Sequence, residues 1–137
     1  QAAWADFDND GDLDLVSGGR LWRNRGTKGN WLKVKLQGSR PKAPGSAGGH
    51  VNRAAIGAQV RIKLADGTLT RQVESSTGCS NVNDLTLHFG LGVHDGGEGS
   101  APAGRVELEI TWPYTRAKQT VTAEANSLVT VTAGERD

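Results

Sequence analysis

The sequence predicts an all-β chain: an antiparallel β-sandwich or partly open barrel of about seven strands, preceded by a short β segment built on an acidic loop. Three observations predict it. Apolar and polar residues alternate over short runs, Gly-, Pro-, Ser- and Asn-rich stretches separate those runs, and no run carries the period of an amphipathic helix. Composition points the same way, with 19 glycines, aromatic residues at only 5% and many Val and Thr. A chain of 137 residues is long enough to bury a real core in one domain.

The first element is the acidic loop. In DFDNDGDLDLV, residues 6–16, carboxylates fall on alternate residues, Asp6, Asp8, Asp10, Asp12 and Asp14, with Gly11 between the third and fourth. A hard cation such as Ca²⁺ takes roughly six to eight oxygen ligands, and alternate residues of a tight loop can converge on one centre. Gly11 provides the backbone freedom for a sharp reversal. The expected ligands are the side chains of Asp6, Asp8, Asp10 and Asp14 and the backbone carbonyl of Asp12. This is not an EF-hand, because Ser17 stands where the bidentate Glu belongs and Leu13-Asp14-Leu15-Val16 reads as a strand rather than a flanking helix. The plainer reading is an acidic solvated turn, but aspartates crowded without a cation repel each other, so it leaves the pattern unexplained.

A Gly-Gly turn, Leu21-Trp22 and a polar exit at Arg23-Asn24-Arg25-Gly26 complete the segment. Trp31 to Leu36 then alternates, with Leu32, Val34 and Leu36 on one face and Lys33 and Lys35 on the other. Residues 38–50 are rich in Gly, Pro and Ser and read as a long loop. Val60, Ile62 and Leu64 mark the next strand, and Asp66-Gly67 signals a hairpin whose return strand runs from about Thr68 to Ser75. Leu85 to Phe89 comes next, then a second Gly-rich loop at 93–104. Arg105 to Trp112 has Val106, Leu108, Ile110 and Trp112 inward and Glu107 and Glu109 outward, and Pro113 ends it. Strands near 118–123 and 127–132 close the chain.

Charge names no partner by itself, with 16 basic residues against 15 acidic. Its distribution does more: no acidic residue lies between Asp14 and Asp66, where Arg20, Arg23, Arg25, Lys28, Lys33, Lys35, Arg40, Lys42, Arg53, Arg61 and Lys63 all fall. A basic surface for a polyanion is one reading, and solvated outer strand faces are the simpler one. His50, His88 and His94 lack metal-ligand spacing and read as surface residues. No G-x-S-x-G nucleophile signature occurs, and Ser75, Ser76 and Cys79 have no evident base, so no catalysis is expected. Glu107 and Glu109 are best read as cross-strand partners of basic residues on neighbouring strands. Trp112 is assigned to the core. Trp22 and Trp31 are expected to fasten the first segment to the sandwich, and an exposed Trp beside the loop could instead stack on a sugar. The single Cys79 excludes an internal disulfide. No apolar stretch approaches a membrane span and no signal peptide is visible. A chain that begins at Gln1 and contains no Met reads as a processed product or an excised piece of a longer one.

AWADFDNDGDLDLVSGG with RLWRNRG directly after it resembles one FG-GAP/VCBS repeat, the calcium-loop repeat of integrin-α-like propellers. The remainder of the chain resembles an ASPIC/UnbV domain, as found in bacterial surface proteins and cartilage acidic protein. The matching stretches are NWLKVKLQG at 30–38, AIGAQVRIKLADG at 55–67, TRQVESSTG at 70–78, LHFGLG at 87–92 and VELEITWP at 106–113. The expected division is therefore a calcium-loop segment at 1–30, a partial propeller blade, and an ASPIC/UnbV-like β domain at 31–137. The resemblance implies a calcium-binding, extracellular or cell-surface β protein without catalysis. The expected function is a calcium-stabilised binding or adhesion module for a protein or carbohydrate of the cell surface or matrix. Two alternatives stand beside it: a subunit of an extracellular assembly or filament, a homo-oligomer built by β-strand addition, and a polyanion or carbohydrate binder using the basic 20–63 region. Nucleic acid is not the expected partner.

Overall fold

The structure, a computed structural model, describes residues 2–26, 29–39, 51–64, 67–76, 84–92, 104–114 and 116–134. Within them lie ten strands and no helix. They are β1 (Ala2–Ala5), β2 (Asp14–Ser17), β3 (Arg20–Trp22), β4 (Asn30–Gln37), β5 (Gln59–Leu64), β6 (Gly67–Gln72), β7 (Thr86–Gly92), β8 (Arg105–Thr111), β9 (Lys118–Glu124) and β10 (Ser127–Thr132). Strands β4 to β10 fall where alternation places them. Asp66, Cys79, His50, His94 and most of the two Gly-rich loops lie outside the described residues.

Two sheets, ordered β10-β4-β7 and β6-β5-β8-β9, enclose the core, and neither closes into a barrel. Register explains why the alternating residues meet. Leu32 pairs with Phe89 and Val34 with Leu87 in one sheet, while Val60 pairs with Ile110 and Ile62 with Leu108 in the other. Because side chains alternate between the two faces of a strand, fixing one such pair turns the whole apolar set inward. Leu32, Val34, Val60, Ile62, Phe89, Leu108 and Ile110 are all but sealed from solvent. Trp112 is core as expected, its Nε1–H donating to Gln119 Oε1 at 3.0 Å. Arg61 lies directly opposite Glu109 on the outer face, the cross-strand pairing expected of that glutamate.

One pairing departs from the antiparallel expectation: β10 runs parallel to β4, with Val129 beside Val34 and Val131 beside Leu36. The cause is a sheet change at Ala125-Asn126. β9 belongs to the second sheet, and two residues later the chain joins the first at its edge. Asn126, with φ of 58°, makes the corner: its N–H donates to Trp31 O at 2.7 Å, its Oδ1 accepts from Trp31 N at 3.1 Å, and its Nδ2–H donates to Asn30 Oδ1 at 2.9 Å. Alternation gives a strand's faces but not the direction of its neighbour, so this could not be read from sequence.

The third sheet, ordered β1-β2-β3, belongs to the acidic loop. It is antiparallel throughout, with Trp4 opposite Leu15 and Leu15 opposite Trp22. Every residue of β1 and β3 is exposed.

Candidate metal centre

Residues 6–13 join β1 to β2, and the loop's own carboxylates close it. Asp6 accepts from the N–H of Asp10 at 3.1 Å through Oδ1 and from that of Gly11 at 3.0 Å through Oδ2. Asp10 Oδ1 accepts from Asp12 N at 3.0 Å. Asp14, buried at the start of β2, accepts from Phe7 N at 3.2 Å and from Asn24 N at 2.7 Å, and so ties the loop's first limb to the exit after β3. These bonds satisfy backbone donors that a tight loop cannot pair within itself. Gly11 sits at φ of +98°, a left-handed conformation that favours glycine.

The result gathers three of the four aspartate side chains expected as ligands, Asp12 being the one expected through its backbone carbonyl. Carboxylate oxygens of Asp6, Asp8 and Asp14 lie within 4.8 Å of one another. Asp10 and Asp12 are outside that trio. Arg23 Nη2 donates to Asp10 Oδ2 at 3.4 Å, and a Cβ added at Gly26 would lie 2.8 Å from Asp12 Oδ2, which places that carboxylate against the polar exit. Asp8 is the least satisfied. Arg23 Nε lies 2.6 Å from its Oδ2 as an ion pair, outside hydrogen-bonding geometry, and both Asp8 oxygens are buried without a hydrogen bond. Buried carboxylate oxygens with no donor are costly unless charge compensates them. A hard, oxygen-seeking cation fits that donor set: Asp6, Asp8 and Asp14 would hold it, and the Asp8 oxygens, which accept no hydrogen bond, are the atoms it would satisfy.

The loop does not stand free of the sandwich. Lys33 occupies an outward position of β4 that predicts solvent exposure; it is instead buried beneath the loop, ion-paired to Asp6 and donating to Asn9 Oδ1 at 3.0 Å. Its ammonium also lies 5.6 Å from the centre of the Trp31 ring, within cation–π range. Burial would by itself raise the Asp6 pKa, but the hydrogen bond from Lys33, the Gly11 amide and the Lys33 charge together hold it below its ordinary value. On β7, His88 Nε2–H donates to the Gly11 carbonyl at 2.7 Å, so the ring carries a proton on Nε2. A Cβ at Gly11 would run into the Trp31 indole, so the backbone here packs directly against the ring with no room for a side chain. Trp31 thus fastens the first segment as expected, whereas Trp22 is exposed and does not.

Lys33 and His88 are the functional residues that sequence reasoning missed. Both occupy the outward positions of amphipathic strands and pair with each other in register. Nothing in alternation distinguishes an outward lysine in water from one covered by a loop 20 residues upstream or more.

A family model described as ASPIC and UnbV matches residues 48–137. No curated protein and no solved structure matches the chain. The matched span holds β5 to β10, while β4, whose Leu32, Val34 and Leu36 fill one side of the core, precedes it and completes the same sandwich. With most of its length covered by that match, the chain belongs to the ASPIC/UnbV family.

Proposed function

We propose that this protein is a calcium-stabilised extracellular binding module that acts without catalysis, and that its N-terminal segment is a calcium-loop unit of the FG-GAP/VCBS type fastened to the ASPIC/UnbV sandwich. The observation that carries the reading is the convergence of Asp6, Asp8 and Asp14, with both Asp8 oxygens buried and lacking a hydrogen bond. Bound there, Ca²⁺ supplies the positive charge that Lys33 and Arg23 provide only in part. Both cations come from outside the loop, Lys33 from the sandwich and Arg23 from the exit after β3.

The consequence for function is mechanical. Asp6 belongs to the trio and is ion-paired to Lys33 at once, so whatever orders the trio also orders the seam between the loop and the sandwich. Metal binding then fixes the N-terminal sheet relative to the domain, and the rigid pair presents one surface to a protein or carbohydrate partner. Extracellular calcium is abundant enough for modules with dissociation constants of about 10⁻⁴–10⁻³ M.

Thermal melting of the full chain in 10 mM CaCl₂ and in EGTA tests the reading, with MgCl₂ as the control for ionic strength. At such affinities 10 mM calcium stabilises by about 1–3 kcal/mol, a rise of several degrees in the temperature at which residues 2–26 lose protection. Equilibrium dialysis should find one calcium per chain, and Asp8→Asn should abolish it. Absence of both binding and a shift would overturn the proposal.

A further inference from the structure

Among the described residues two cations pair with the acidic loop, one buried and one largely in water. Lys33 reaches it from β4 and, at 11% exposure, is fixed beneath it. Arg23 reaches it from the exit after β3, and its side chain is 60% exposed. The next residue sets its position: Asn24 N–H donates to Asp14 Oδ1 at 2.7 Å, which pins the chain beside Arg23 to one member of the trio. From there the guanidinium turns one edge to the loop. Nε lies 2.6 Å from Asp8 Oδ2, and Nη2 on the same edge donates to Asp10 Oδ2 at 3.4 Å. One planar fork therefore spans two carboxylates, a contact that a point-charge ammonium does not reproduce. Of those two acids, Asp8 belongs to the trio and Asp10 does not.

We infer that Arg23 is the loop's own displaceable cation: it pairs with Asp8 and Asp10 in metal-free solution and releases Asp8 when a divalent cation binds. The inference rests on the metal reading above and adds its regulation. Both Asp8 oxygens are buried and accept no hydrogen bond, and among the described residues Arg23 is their ion-pair partner. A divalent cation held by Asp6, Asp8 and Asp14 competes for that carboxylate, and a guanidinium that stayed would face it as a like charge across one acid. Exposure decides which of the two loop cations yields. Arg23 is already solvated on one side and loses little on release, whereas releasing Lys33 would strand a buried ammonium. The same fork accounts for Asp10, which shares the spacing of the trio but is tied to Arg23 instead. By linkage, a contact that stabilises the metal-free loop weakens metal binding by the same factor, because the metal meets only the fraction of loops in which Asp8 is free. Arg23 thus sets the calcium level at which the loop fills.

The test compares the full chain with Arg23→Gln and with Arg25→Gln. The second removes the same charge from an exposed residue two positions along, which takes part in none of the ion pairs among the described residues. Isothermal titration with CaCl₂ should give Arg23→Gln a dissociation constant lower by about threefold or more, and leave Arg25→Gln within about twofold of the unmutated chain. In EGTA the order should reverse, with amide exchange over residues 6–14 faster in Arg23→Gln by a similar factor. The unmutated chain supplies a direct readout that needs no variant: the Arg23 Nε–H resonance, held by its ion pair in EGTA, should shift and exchange faster as calcium is added. A weaker or unchanged calcium affinity in Arg23→Gln would overturn the inference, since the arginine would then support the loaded loop or stand apart from it. An equal gain in Arg25→Gln would overturn it too, by assigning the effect to net charge. So would an Arg23 Nε–H signal indifferent to calcium. If none of the three chains bound calcium, the metal reading itself would fall and the inference with it, an outcome told apart from three chains that bind calcium alike.

Discussion

The sandwich and the N-terminal sheet are made from the same kind of strand and are held by opposite means. In the sandwich, alternation turns Leu32, Val34, Val60, Ile62, Phe89, Leu108 and Ile110 into one sealed core. In the N-terminal sheet the same alternation leaves Trp4, Val16, Leu21 and Trp22 exposed, and the fully buried side chain is a carboxylate, Asp14. The first body is stabilised by apolar area, the second by a loop closed on its own aspartates and tied to its neighbour through Lys33, His88 and Gly11. Period-2 alternation is thus a statement about faces and not about what covers them.

The comparison is easiest to break from the sandwich side. Leu108→Ala opens a cavity in a fully buried site and should cost about 2–5 kcal/mol, with the whole chain unfolding at lower denaturant. Trp22→Ala removes a larger side chain, yet its exposure predicts a change within about 0.5 kcal/mol. Chemical denaturation of the two variants checks both. If Trp22→Ala proved as damaging as Leu108→Ala, the N-terminal sheet would be part of the cooperative core and the contrast would fail.

The seam should yield next. Gly11→Ala forces a Cβ into the Trp31 indole at a left-handed φ, a local cost of order 1–3 kcal/mol. Because the N-terminal sheet adds little to the core, the expected result is undocking rather than global unfolding: faster proteolysis and hydrogen exchange over residues 2–26, with the sandwich melting almost unchanged. A fall in both together would mean that one cooperative unit spans the seam.

These effects mark where the sequence was legible. The sandwich strands could be read because each interior residue is apolar for a single reason, and register carries that reason to the next strand. The acidic loop could be read because alternate carboxylates around a glycine have few physical uses. Its partners could not. Lys33 is an outward lysine by every local criterion, and only the arrival of Asp6 makes it buried. The parallel β10–β4 pair hinges on Asn126 bonding to Asn30 and Trp31, almost a hundred residues away in sequence. Asp10 shares the spacing of Asp6, Asp8 and Asp14, yet it is exposed and lies outside their cluster, a difference the spacing does not carry.

The finest form of the contrast lies between two ion pairs of like composition. Lys33 and Asp6 are 11% and 3% exposed, whereas Lys118 and Glu109, 3.2 Å apart on the outer face of the sandwich, are 62% and 31% exposed. Removing one partner of the buried pair strands a charge, for which about 3–5 kcal/mol is typical, but here the cost cannot exceed the free energy of docking the loop. Lys33→Met should therefore release residues 2–26 in EGTA. Calcium should restore much of their protection, since the metal neutralises the same carboxylate. Glu109→Gln changes a solvated pair whose acid also faces Arg61, and screening holds its effect to about 0.5 kcal/mol, smaller still in 1 M salt. Measuring hydrogen exchange of the N-terminal sheet for both variants, with and without calcium, separates the cases. Residues 2–26 released in EGTA and re-protected by calcium in Lys33→Met, with Glu109→Gln responding as the unmutated chain does, would show that burial under the loop, and not the ion pair as such, holds the two bodies together.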